Sequence, residues 1–188
     1  PFLVPKSKDF VWDQRLYQDL ISQGLTMGLM SSIVSIGTVI LQSAINKLGM
    51  TIISAQISAR RIMSFALLPM GAISTSMTTF ISQNFGAKQF RRIQKGVKQA
   101  CFLSLIWSIF VAVSLFFTSP FLTSLISGST NPDLIANASL YLQISSCFYP
   151  VLGCLLILGN SLQGMGHKLT PLISSFIELT GKILFVLF

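Results

Sequence analysis

The sequence predicts an all-α fold, a polytopic transmembrane helix bundle with five spans. Three observations carry that expectation. Charged residues are 10% of the chain, against about a quarter in soluble domains; that is too few to coat a water-soluble globule. Apolar stretches of about 20 residues, each long enough to cross about 30 Å of hydrocarbon, recur five times. The cations fall in alternate connections between those stretches, as expected where charge sets orientation across a bilayer.

Taken in order, residues 1–23 mix Phe10, Val11, Leu16, Leu20 and Ile21 with charges. That pattern suits an amphipathic helix lying at the membrane surface. The spans follow at 25–45, 62–81, 97–118, 140–162 and 170–188. The second extends back to Thr51 and exceeds what a bilayer needs, so it protrudes, tilts or kinks at Pro69. Lys6, Lys8 and Arg15 precede the first span. Lys88, Arg91, Arg92, Lys95 and Lys98 lie between the second and third, and His167 and Lys168 between the fourth and fifth. The other connections are poor in cations: 46–50 holds Lys47 and 119–139 holds none. This asymmetry predicts a multi-pass protein of the plasma (cytoplasmic) membrane, with a cytoplasmic N-terminus and position 188 at the outer face. The chain begins at Pro1, and no basic stretch leads into a short apolar run. It therefore reads as a piece of a longer protein, with no signal peptide in view.

The stretch "FISQNFGAKQFRRIQKG" (80–96) breaks abruptly with the apolar sequence before it. On a helical wheel the basic arc of Lys88, Arg91, Arg92, Lys95 and Lys98 opposes Phe90, Ile93 and Val97. This predicts an interfacial helix that sinks its apolar side among headgroups and offers Lys88, Arg91, Arg92 and Lys95 to anionic lipid. A plain orienting loop is the other reading. The net charge of +8 raises nucleic acid as a partner, but that needs bases gathered on a water-facing surface, and these lie between apolar spans.

Polar residues inside the spans are costly and therefore informative. Ser31, Ser35, Thr38, Gln42 and Asn46 form one stripe about 80° wide on the first span. Either the stripe packs helices closely or it lines a watery path; Ser35, Thr38, Gln42 and Asn46 are candidate substrate-cavity residues. Ser64, Gly71, Thr75, Thr78 and Ser82 share a face of the second span, with Arg60 close to it. Arg60 and Arg61 either snorkel to the outer interface or face a cleft. Glu178, the one acid in an apolar core, lies near the middle of the last span, with Lys182 one turn on. The two form a static bridge or take part in coupling. Cys101, Cys147 and Cys154 read as small packing residues, with Cys147 and Cys154 about 10 Å apart along one helix, too far for a disulfide. No catalytic constellation, metal-ligand spacing or phosphate-binding loop points to an enzyme, a metal or a cofactor.

"SQNFGAKQFRRIQKGVKQA" (82–100) resembles the end of the second helix and the following loop in one half of a multidrug and toxic-compound extrusion (MATE) transporter. "LQGMGHKLTPLISSFIELTGK" (162–182) is similar to the turn between the fourth and fifth helices of such a half. "GLTMGLMSSIVSIGTVILQSAINKLG" (24–49) is similar to its opening helix, with Thr26 where the family usually has Pro.

The resemblance implies five helices of a six-helix MATE-type lobe, the second lobe without its last helix. Residues 1–23 would be the cytoplasmic inter-lobe linker and 24–188 the half-transporter. It implies a cation-coupled antiporter, driven by Na⁺ or H⁺ at a site not identified, that exports drugs or organic cations by alternating access. The implied partners are membrane lipids, a small organic substrate and the missing first lobe. Some family branches carry coupling carboxylates in the first and fourth helices of the second lobe; here 25–45 and 140–162 contain no Asp or Glu. The coupling carboxylate then lies in the missing lobe, or Glu178 serves. Rival readings are a flippase for lipid-linked oligosaccharides on a related fold and a non-transporting membrane scaffold or inactive fragment.

Overall fold

The computed structural model describes residues 13–167 and 169–187. Six helices follow one another: α1 Gln14–Ile45, α2 Met50–Gly86, α3 Phe90–Ser127, α4 Pro132–Cys147, α5 Tyr149–Gly164 and α6 Leu169–Leu187. The Asp13 carboxylate caps α1 by accepting from the N–H groups of Arg15 and Leu16 at 2.9 and 3.3 Å. A 3-10 turn, Asn46–Leu48, leads to Gly49, whose φ of 97° suits glycine and turns the chain into α2. Gly128, at φ 62°, closes α3. Asn131 caps α4, with Pro132 in its first turn.

The structure draws the elements differently from the sequence reading in three places. The first helix begins at Gln14, so 14–23 continues into the first span as one helix; residues 1–12 of the expected linker, with Lys6 and Lys8, lie outside the described residues, as do Lys168 and Phe188. Pro69 sits within α2 without ending it. The basic stretch is no separate interfacial helix. Lys88 stands in a turn, and α3 runs unbroken from Phe90 for 38 residues. Ile93 is buried and Val97 half-buried in a core shared with Met77, Ile81 and Ile157, so these two pack against protein, while Phe90 stays exposed. Finally, the expected fourth span breaks at Phe148, where α4 and α5 meet at 54°. Pro150 lacks the N–H that would bond the Ser146 carbonyl, and its ring crowds the preceding turn.

The bend lets one span serve two halves of the core. α4 packs Leu134, Ala138 and Leu142 against Ala55, Ala59 and Ile62 of α2 and Val111 and Leu115 of α3. Across the bend, α5 packs against the other half of α2 and α3. Prolines leave carbonyls free, and one is recovered across helices. Pro120 cannot donate to the Phe116 carbonyl, and the Gln143 side-chain amide of α4 donates to it at 3.3 Å. Nearby, Trp107 Nε1–H of α3 donates to the Ala66 carbonyl of α2 at 2.9 Å.

α2 and α5 are joined by a hydroxyl ladder. Ser74, Thr78 and Ser82 donate to the carbonyls of Leu156, Asn160 and Gly164 at 2.7, 3.4 and 3.0 Å. Each partner lies 82 residues further along the chain, so the two helices run parallel. The Asn160 side-chain amide returns a hydrogen bond to Ser74 Oγ. Parallel running decides how many times the chain crosses. If α4 and α5 were separate crossings, α5 would oppose α2. Counted as one broken span, they make five crossings, as the sequence predicts.

α1 stands apart from this bundle and packs along α6. Gly37 is a point of close approach between them. A Cβ there would lie 2.9 Å from Lys182 Cδ and 3.2 Å from Leu179 Cδ1.

Two outcomes check this fold in the full-length protein. A Cβ on Gly164 would lie 2.8 Å from the Thr78 carbonyl oxygen, whereas one on Gly159 meets nothing within 4 Å. Gly164→Ala should therefore destabilise by about 1–3 kcal/mol in detergent unfolding, and Gly159→Ala should not. Separately, the thiols of Cys101 on α3 and Cys154 on α5 are neighbours where the two helices pack. Dibromobimane, which fluoresces when it bridges two neighbouring thiols, should label this pair, and Cys101→Ser or Cys154→Ser should abolish the signal while Cys147→Ser leaves it.

Candidate translocation surface

The candidate residues of α1 stay on one helix face. Ser35 and Asn46 are exposed, and Thr38 and Gln42 half-buried. Their polar groups are satisfied locally. Ser35 Oγ donates to the Ser31 carbonyl at 2.8 Å, Thr38 Oγ1 to that of Val34 at 2.9 Å, and Gln42 Nε2 to Asn46 Oδ1 at 3.0 Å. Gly37, which meets α6, points about 140° away from the centre of this stripe. The stripe thus faces away from α6, and no other described helix runs along it.

The stripe expected on α2 divides. Thr78 and Ser82 turn their hydroxyls to α5 and belong to packing. Ser64 and Thr75 remain exposed and bond back to carbonyls of their own helix. With Arg61 and Thr79, also exposed, they make a second polar face. Arg60 is half-buried, and no carboxylate pairs with it among the described residues.

Sequence reasoning passed over two places. Gln56, one turn before Arg60, is buried, its Oε1 without a hydrogen-bond partner among the described residues. It lines a cavity of about 260 Å³ with Ile45, Asn137 and Tyr141. A second cavity of about 280 Å³ separates α5 from α6 and carries Asn160, Gln163, Thr170, Ser174 and Ser175 among leucines. Both depend on how α1 and α6 stand off the bundle, which periodicity within one helix does not encode.

Glu178 and Lys182 form an ion pair, Nζ to Oε1 at 2.6 Å. The lysine stem lies over Gly37, so the pair is seated against α1. Lys88, Arg91, Arg92 and Lys95 are all exposed around the start of α3, beside an edge-to-face Phe85–Phe90 pair with centroids 5.9 Å apart. No cluster of metal-ligating side chains forms among the described residues.

Long apolar helices with polar faces define a multi-pass membrane protein. Comparison with known proteins narrows this. The chain matches the MatE family over residues 27–187 and belongs to that family. It is 24% identical over 151 residues to a protein of Shewanella oneidensis named "FAD transporter", covering 80% of this chain and 33% of that one. It is 23% identical over 178 residues to the "Probable multidrug resistance protein YpnP" of Bacillus subtilis, covering 95% and 39%. The chain thus spans between a third and two fifths of the length of these curated relatives.

The ion pair sets a test in the full-length protein. An unpaired charge near the membrane midplane costs on the order of 2.5–3.5 kcal/mol. Glu178→Gln and Lys182→Met should each lower folded yield, and the double substitution should restore much of it. A well-folded Glu178→Gln protein that no longer transports would instead assign Glu178 to ion coupling.

Proposed function

We propose that this chain forms half of an exporter that moves drugs or organic cations across the plasma membrane by alternating access, in exchange for Na⁺ or H⁺. The observation that carries this reading is the contrast between exposed faces. α3 shows Phe102, Ile106, Phe110, Phe117 and Phe121, a surface for lipid. α1 and α2 also expose apolar residues such as Val39 and Phe65, but each carries in addition a face of hydroxyls and amides, with Arg61 on that of α2. A polar face is costly against hydrocarbon, and it is at home beside water or another lobe. The partner that fits is a second lobe of the same protein, with the substrate between the two. Ser35, Thr38, Gln42, Asn46 and Arg60 are the residues of this half proposed to border that space.

The orientation proposed is N-terminus inward, with the five cations at the start of α3 in the cytoplasm. Coupling is assigned to the other lobe, because Glu178 is already neutralised by Lys182. A second substrate class has some support. The α1 and α2 faces carry Arg60 and Arg61 and no acid, and one relative is named an FAD transporter. Both suit an anionic aromatic compound.

Spin labels at positions 35, 38 and 42 of the full-length protein should respond to a water-soluble relaxant more than to oxygen. The reverse would make the stripe a lipid or packing surface and remove the basis of the proposal. Inverted membrane vesicles should take up ethidium when a Na⁺ or H⁺ gradient is imposed. Uptake of FAD without ethidium would select the second substrate class.

A further inference from the structure

A surface groove of about 430 Å³ runs between α2 and α3. Ile73, Met77 and Phe80 form one wall, and Gly96, Ala100 and Leu103 the other. At the Gly96 end the Phe80 ring lies against the α3 backbone, in space that a Cβ would contest. Its lining is mostly apolar, and it extends about 10 Å along α3 from Gly96 to Leu103.

Cations sit at one end. Arg92 lies four residues before Gly96, on nearly the same line of the helix, and Lys95 flanks it. Helical side chains lean toward the N-terminus, which carries both past the mouth of the groove. Both are exposed, and no carboxylate pairs with either among the described residues. Arg92 Nη1 donates to Gln89 Oε1 at 3.0 Å, which orients the guanidinium and leaves its other donors free. The half-exposed Phe85 and Phe90 stand at the same level.

We propose that this groove is a binding site for one anionic phospholipid, with an acyl chain between α2 and α3 and the headgroup phosphate on Arg92 and Lys95. The guanidinium matches phosphate oxygens in a two-point contact, and the ammonium adds a second charge. The apolar groove distinguishes a lipid from a free anion, and the cations distinguish an anionic lipid from a neutral one. The inference rests on the membrane placement of the family and not on what is transported, so it stands or falls apart from the export reading.

The test uses the purified full-length protein in detergent, titrated with dioleoyl phosphatidylglycerol, with bound lipid counted by native mass spectrometry. Phosphatidylcholine is the neutral comparison. A hydrogen bond to a charged group contributes roughly tenfold or more to binding, so Arg92→Ala with Lys95→Ala should weaken phosphatidylglycerol about tenfold or more and phosphatidylcholine little. Arg91 and Lys98 lie on the far side of α3, about 140–160° from Gly96. Removing that pair deletes the same charge and should leave binding nearly unchanged. Ser76 is exposed at the groove edge, and Ser76→Phe should fill the groove and weaken phosphatidylglycerol roughly tenfold or more with every cation intact. Equal losses from the two charge pairs would show diffuse attraction and overturn the site. Unchanged binding in Ser76→Phe would do the same, and displacement by glycerol 3-phosphate would reduce it to an anion site.

Discussion

Helices in lipid are not driven together by burial of apolar surface, because the tails around them are as apolar as leucine. What holds this bundle is close approach through small residues, with hydroxyls reaching carbonyls of the neighbouring helix. The ladder from Ser74, Thr78 and Ser82 to Leu156, Asn160 and Gly164 is the clearest case. Double-mutant cycles put such bonds at about 0.6 kcal/mol each in a membrane, so the ladder is modest in energy. Its larger effect is on register. Three bonds at matching four-residue steps fix the direction and height of α5 against α2. Gly164 permits the approach, and Gly153 plays the same part against Met70 and Ser104 where α2, α3 and α5 meet.

Much else follows from that register. With α5 held parallel to α2, the bend at Phe148 must lie within one crossing. α4 is then free to lean across and fill the other half of the bundle with Leu134, Ala138 and Leu142. The cost of breaking a helix in a membrane is unpaired backbone. Here Pro150 begins a new helix where its missing N–H matters least. At Pro120 the helix continues, and the Gln143 amide supplies the donor that the proline cannot.

The spans were legible in sequence because hydrocarbon demands long apolar runs, and all five are present. Their ends were not. α2 and α3 reach 37 and 38 residues, about 55 Å each, and hydropathy is silent once a helix leaves the hydrocarbon. Pro150 was visible, yet apolar residues on both sides hid the break. The four-residue spacing of Glu178 and Lys182 announced their pairing, while the seat on Gly37 required knowing that α1 meets α6. The α2 stripe was only half legible. Thr75 and Thr78 look alike on a wheel, but one is exposed and the other donates to Asn160. The acceptors are backbone carbonyls, which every residue carries, so no side-chain pattern marks them.

The pairing of α1 with α6 bears on how the bundle can move. α1 joins the bundle through Gly49, and α6 through Gly166, whose φ is 81°. The two glycine joints lie at opposite ends of the pair, because α1 and α6 run parallel: Met30 borders the same cavity as Pro171 and Ser174, and Gly37 meets Leu179 and Lys182. A pair tied at one end would swing like a gate. Tied at both, it is restrained at each membrane face, and the displacement left to it is rolling or sliding against α5. The contact there is slight, with the 280 Å³ cavity between the two. The four remaining helices, locked by the ladder and by the two clusters of their core, lack that freedom. The polar face of α1 is thus carried on the more loosely held part of the molecule, and the exposed polar face of α2 on the more rigid part.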